Sequence, residues 1–445
     1  MNVDILITNC DVLLPDFEIS SDSAIAIEGN LIREIGPTPD LEAQYTAKTT
    51  IDGSGKICLP GFIDAHTHTC QQFLKGRTMD EYPMVWSRIL VPFEGALTEE
   101  DVRASARLSC LEMIKAGITA FADAGGPHTE FVVQSTLESG LRAAIAPSAI
   151  DTGTFMPDAM KRSGKKILSD TIDLYHRFDG AGDGRIHVWF GMRQLMCCSP
   201  EYIREAATVA KAYQTGLHAH LAEHRDEVGF CLQNYRKRPA EFLESLGALG
   251  PNLLTAHNVL LAEQELTLLA DREVKIVHCP RNNLTSHGIP KTPRLAHLGA
   301  HLGLGCDGAA NCGLSLFDEM RALRYGLLAT WGVPIFDPQV MPAKELFRMV
   351  TAGGAAALLQ ADKIGSLSPG KKADAVLVDL EQPHLSPTYN VLNTLISAGS
   401  AKDVTDVIVD GRVLMRNRQV LSIDEEETLF EGRRRFSEIA KRTGL

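Results

Sequence analysis

Apolar positions fall into two textures along the chain. In the first sixty residues they form short runs, Ile5 to Ile7, Ala24 to Ile27 and Leu31 to Ile35, cut by Asn, Asp, Gly and Pro. That pattern predicts strands, with Gly29-Asn30 as a tight turn. The same texture returns after residue 365. There Ala373 to Asp379 and Val404 to Val409 read as strands, and Asp410-Gly411 as a hairpin signal. Both ends together predict one small β domain.

Between them, eight apolar runs of strand length occur at 61–66, 118–124, 142–150, 186–192, 216–221, 253–259, 274–279 and 302–306. Amphipathic stretches separate most of them. The clearest spans about 99 to 116: Thr98 is a candidate N-cap, Glu99, Glu100 and Asp101 lie in the first turn, Val102, Ala106, Leu111 and Ile114 form an apolar stripe, and Gly117 ends it. Strands alternating with helices predict a parallel sheet, and eight is the (β/α)8 number. A doubly wound sheet is the competing architecture. Gly303-Leu304-Gly305 runs straight into Cys306-Asp307 and is no dinucleotide loop. The expected fold is α/β: a (β/α)8 TIM barrel over 59–362 with a small composite β-sandwich formed by both termini, 1–58 and 363–445, the latter ending in a helix. No internal repeat, low-complexity tract or long linker interrupts it.

Composition excludes several classes. The 445 residues are 44% apolar and 22% charged, ordinary globular usage. No window reaches the roughly 18 uninterrupted apolar residues of a membrane span, and the start MNVDILITNC has no signal-peptide pattern. Forty-four basic against 56 acidic residues give a net charge of −12, with no basic stripe for nucleic acid. The ten cysteines include no CxxC pair, which predicts a reduced, cytoplasmic protein rather than a disulfide framework. Neither a nucleic-acid nor a membrane partner is expected.

The 14 histidines matter by position. His66 and His68 close the first run, and side chains two apart on a strand share a face. At the carboxyl end of a barrel strand both would face the lumen, where barrel active sites sit. His218 and His220 repeat the arrangement at the fifth run, with Glu223 three residues on. A metal there would lower the pKa of bound water and a carboxylate would move its proton; a plain helix N-terminal carboxylate is the bland alternative for Glu223. His257 ends the sixth run, and Asp307, bordered by glycines, follows the eighth. A buried carboxylate is costly without a partner, and a metal would supply one. His278 ends the seventh run and reads as a satisfied polar group. Packing alone would place branched apolar residues at these strand ends, so the cluster points to a metal-dependent hydrolytic site.

At Pro60-Gly61-Phe62-Ile63-Asp64-Ala65-His66-Thr67-His68, His220-Leu221-Ala222-Glu223, Thr255-Ala256-His257 and Gly305-Cys306-Asp307-Gly308-Ala309-Ala310, the chain resembles the amidohydrolase superfamily. Phe317 to Arg321 and Gly365 to Leu380 fit as well. The likeness is to the branch of S-adenosylhomocysteine/methylthioadenosine deaminases, guanine deaminases and triazine hydrolases, and it covers nearly the whole chain. It implies that His66, His68, His220 and Asp307 hold one divalent metal, zinc or iron. It also implies that Glu223 protonates a ring nitrogen and shuttles protons, that His257 orients the attacking water, and that Asp307 accepts a proton from it. No lysine matches the one binuclear relatives carry early in the barrel, which favours one metal.

The resemblance implies an aminohydrolase acting on a purine-, pterin- or triazine-like heterocycle, a small-molecule substrate and a homo-oligomer. Loss of chloride or an alkylamine from a triazine, or opening of a cyclic amide, is the alternative; a metal-binding protein without catalysis is a third. Glu94, in Val91-Pro92-Phe93-Glu94, matches a ribose-binding glutamate. Arg193 replaces a histidine after strand four, and Arg193 and Gln194 are candidate substrate-binding residues; a guanidinium there suggests an acidic heterocycle. Pro147 or Ser148 and Arg281-Asn282-Asn283-Leu284 also depart from the deaminase pattern. A dry site would raise the Glu223 pKa so that it enters the reaction protonated.

Overall fold

A computed structural model describes residues 1–81, 85–153, 156–310 and 312–443. All eight central runs form strands. In barrel order they are Phe62–Thr67, Ile118–Asp123, Arg142–Ile145, Ile186–Val188 with Phe190–Met192, Leu217–Leu221, Leu253–His257, Lys275–His278 and His301–Leu304. Every recorded pairing among them is parallel. The fourth strand breaks at Trp189: its first half pairs with strand three and its second with strand five.

The eighth strand meets the first through the backbone just beyond it. Asp307 N–H donates to the His66 carbonyl at 2.9 Å, and Cys306 N–H to the Asp64 carboxylate at 2.9 Å. Gly305 permits this approach, because a Cβ there would lie 2.6 Å from the His66 carbonyl oxygen. The bottom of the barrel is filled by small residues, Ala65, Ala120, Ala122, Ala144 and Ala146, around Ile63, Leu254 and Val277.

The helix expected over 99–116 runs Glu99–Lys115, and Thr98 and Asp101 form a reciprocal capping box. The two termini build one nine-stranded mixed sheet. Its seam joins distant segments: Ala375–Asp379 pairs antiparallel with Lys56–Pro60, the strand that feeds the barrel. The first strand is longer than its apolar run, Asn2–Leu13 rather than Ile5 to Ile7. Asn9 at φ 55° bulges it and shifts the register, so the alternation breaks while the strand continues. Thr46–Asp52 escapes the apolar pattern because Thr, Lys and Asp fill its outer face. Among the described residues no helix is long and apolar enough to cross a membrane.

Barrel and sheet are clamped by a buried charge cluster. Arg142, on barrel strand three, donates from Nε to Asp374 at 2.6 Å and from Nη2 to Asp410 at 2.7 Å. All three side chains are at most 3% exposed. Replacing Arg142 by Met would leave buried Asp374 without its cation, while Asp410 would keep Lys372 at 3.4 Å and Arg185 at 3.8 Å. The expected loss is about 3–5 kcal/mol of unfolding free energy, read from urea titrations of wild type and variant.

Candidate metal and catalytic site

Strand geometry brings the chemistry-bearing residues to the carboxyl ends of strands one, five, six and eight. His66 lies in strand one and His68 just after it. His220 is in strand five, His257 is the last residue of strand six, and Asp307 follows strand eight. The turns that aim them are strained: Ala222, His257, Asn258 and Asp307 all have φ between 50° and 73°. Non-glycine residues rarely hold that conformation, and it concentrates at functional sites.

The donor atoms of His66, His68, His220 and Asp307 lie within 4.8 Å of one another, as do those of Glu223, His257 and Asp307. His66 Nε2 is 3.1 Å from Asp307 Oδ1, and His68 Nε2 is 3.2 Å from His220 Nε2. Burial pushes the His66 imidazole down to about 4 and His220 well below its ordinary value, so both are neutral. Burial alone would raise the Asp307 carboxyl, but His257, His66 and His68 outweigh it and hold it well below the carboxylate range.

The nitrogens' second partners set the tautomers. His68 Nδ1 faces the Gly125 carbonyl at 3.2 Å, an acceptor, so Nδ1 carries the proton and Nε2 the lone pair. His66 Nδ1 meets His218 Nε2 at 2.8 Å, which gives His218 the role of orienting a ligand. Three nitrogens and one carboxylate oxygen, neutral or anionic and converging in a largely buried site, fit a divalent ion of the zinc type. Two facing imidazole nitrogens at 3.2 Å are satisfied by a cation or a shared proton and by little else.

Glu223 sits beside this set. Its Oε2 accepts from Gln194 at 2.8 Å and faces His224 Nε2 at 3.0 Å. Its Oε1 lies 3.4 Å from His287 Nε2 and 3.8 Å from His257 Nε2. Burial would raise the carboxyl; His257, His224 and His287 outweigh that and hold it far below the ordinary range. The expectation of a raised Glu223 pKa is therefore corrected: three imidazoles, two of them outside the motifs, reverse the effect of a dry site. The His224 and His287 rings stack at 5.2 Å. His224 was visible as the neighbour of Glu223, whereas His287 returns only because helix Pro280–Ser286 folds back. Arg281 anchors that helix on buried Glu319 at 2.6 Å. His278 is a satisfied strand-end group on one side, with Nδ1 2.9 Å from the His257 carbonyl.

Glu94 and Arg193 are joined to each other. Arg193 Nη2 donates to Glu94 Oε1 at 2.8 Å, and Gln71 Nε2 donates to the same oxygen at 2.7 Å. Arg193 Nη1 reaches the Gly125 carbonyl at 3.3 Å, the oxygen that also holds His68. Both side chains are at most 1% exposed. Arg193 as a free cation for an acidic substrate is thus corrected: its charge is neutralised by Glu94, which no sequence spacing reveals.

A (β/α)8 barrel with this donor set at its strand ends defines a metal-dependent hydrolase. The chain belongs to the amidohydrolase family, whose profile matches residues 57–414. It is 36% identical over 424 residues to a 5-methylthioadenosine/S-adenosylhomocysteine deaminase of Pelotomaculum thermopropionicum, covering 95% of each chain. It is 33% identical over 444 residues to a 5'-deoxyadenosine deaminase of Methanosarcina acetivorans, covering 99% of each. In structure it is similar to an adenosine deaminase from Xanthomonas campestris with bound zinc, at TM-score 0.92, 28% identity and 99% coverage of both chains.

Two expectations follow from the buried charges. Arg193→Met leaves Glu94 buried without its cation and should cost about 3–5 kcal/mol, with Glu94→Gln in the same chain restoring part of it in denaturant titrations. Glu227 is buried, accepts the Glu223 N–H at 3.1 Å, and is pushed by burial up to about 8 from 4.5. Its folded pKa is raised, so its contribution to stability is full below 4.5 and lost as pH climbs to about 8. Glu227→Gln should flatten that loss in urea midpoints measured from pH 5 to 8; an unchanged slope would refute it.

Proposed function

We propose that the protein is an aminohydrolase that removes an exocyclic amino group from an uncharged, purine-like heterocycle with release of ammonia. The observation that carries this reading is Glu223, fixed by Gln194 at 2.8 Å, facing His257 beside the His66, His68, His220 and Asp307 cluster. Those four residues would hold one divalent ion, zinc by the chemistry of the donor set. When bound, the ion would supply Lewis acidity and bring the pKa of the attacking water towards neutrality.

Glu223 enters the reaction ionised. It takes one proton from water as the oxygen adds to the carbon bearing the amine, and delivers that proton to the adjacent ring nitrogen. Asp307 passes the second water proton to the departing nitrogen. The C–N bond breaks, a C=O bond forms, and the two water hydrogens end on the ring nitrogen and on ammonia. His257, aimed at Glu223 and Asp307 from 3.8 and 3.9 Å, orients the water. The deaminase relatives support the reaction class. The Glu94–Arg193 pair supports an uncharged substrate, since no cation there is left to select an anion. Ten free cysteines, nine of them buried, support a reducing, cytoplasmic setting.

A zinc-loaded preparation should release ammonia from members of a panel of neutral and carboxylated aminopurines, nucleosides and pterins, favouring neutral ones. Glu223→Gln should lower kcat by about 10²–10⁴. Chloride or alkylamine release without ammonia would identify a triazine-type hydrolase instead. Wild-type turnover in Glu223→Gln would refute the assigned proton path.

A further inference from the structure

Asn283 is fully buried, and neither of its amide ends is ambiguous. Its Oδ1 accepts the Cys279 N–H at 3.2 Å, at the start of the helix that carries it. Its Nδ2 therefore donates, and what it faces, at 3.0 Å, is His257 Nδ1. Turning the amide over would set its NH2 against the Cys279 N–H, two donors in contact in a dry interior. His257 Nδ1 thus holds the lone pair, and the neutral ring carries its proton on Nε2. That nitrogen has no hydrogen-bond partner among the described residues and faces two carboxylates, Glu223 Oε1 at 3.8 Å and Asp307 Oδ1 at 3.9 Å. An N–H suits that position, whereas a lone pair would be repelled by both.

We infer that Asn283 is a positioning residue that fixes His257 as the Nε2–H tautomer, making it a donor into the site and withholding it from a metal. His68 has the opposite arrangement, its Nδ1 facing a carbonyl and its Nε2 lone pair turned towards the cluster, 3.2 Å from His220 Nε2. The two imidazoles are sorted into ligand and donor by what stands behind each ring. It follows that Glu223, His257 and Asp307, although their donor atoms cluster within 4.8 Å, do not form a second metal site. Asn282, the preceding residue, donates to Asp307 Oδ2, so adjacent asparagines set the two groups. The tautomer stands on the hydrogen bonds alone; its consequence for turnover rests on the aminohydrolase reading.

The test uses Asn283→Asp, which keeps the oxygen that accepts from Cys279 and replaces only the donor. In metal-free wild type labelled with [15N]histidine, the His257 resonances, assigned by their loss in His257→Asn, should show Nδ1 bare and Nε2 protonated. In Asn283→Asp they should reverse. Metal per chain at saturating zinc should then rise from one towards two, and kcat should fall about 100-fold with KM little changed. Protonated Nδ1 in wild type would overturn the inference, even if the variant failed to fold. So would a folded variant with unchanged tautomer and metal content. Absence of turnover on every heterocycle would count against the proposed function and leave the two metal-free and metal-content readouts decisive for Asn283.

Discussion

The structure turns on the convergence of neutral imidazoles and a carboxylate in a buried place. His68 and His220 present Nε2 to each other at 3.2 Å, with His66 and Asp307 alongside. Such an arrangement is unfavourable by itself, because lone pairs and a carboxylate crowd one another in low dielectric. It persists because the surrounding chain leaves these side chains no alternative. Gly305 brings strand eight against His66, Asp64 ties the Cys306 and His66 backbones together, and four left-handed residues hold the strand ends at their angles. The barrel supplies rigidity, and the site draws on it.

Charge is handled by pairing at every depth. Arg142 is enclosed by Asp374 and Asp410, Arg193 by Glu94, and Arg281 by Glu319. No cation of these three is left over for an anionic ligand. Glu223 differs, being surrounded by imidazoles rather than a fixed cation. Imidazoles can change protonation and charge during a reaction while a guanidinium cannot, so the carboxylate that carries the first proton has partners able to respond to it.

Much of this was legible in the sequence. The eight apolar runs became the eight barrel strands because parallel strands buried on both faces are continuous apolar stretches. His66 and His68, or His218 and His220, share a face by the two-residue period of a strand, which composition alone conceals. What stayed hidden has a common physical character: it depends on which distant groups meet. Arg193 and Glu94 are 99 residues apart, and each alone looked available for a substrate. His287 and Asn283 reach the site through the direction of one short helix. Asn9 lengthens a strand by breaking the very alternation used to find strands.

The seam between Lys56–Pro60 and Ala375–Asp379 also has a meaning for synthesis. The strand entering the barrel is made early, and its partner leaves the ribosome only after every barrel strand has been translated. Until then one edge of the sheet is open, and Arg142 waits for Asp374 and Asp410. The nascent barrel therefore spends most of its elongation with a buried-type cation and an unpaired strand edge exposed. Chain order therefore makes closure of this seam a late step, available only once all eight barrel strands have been made.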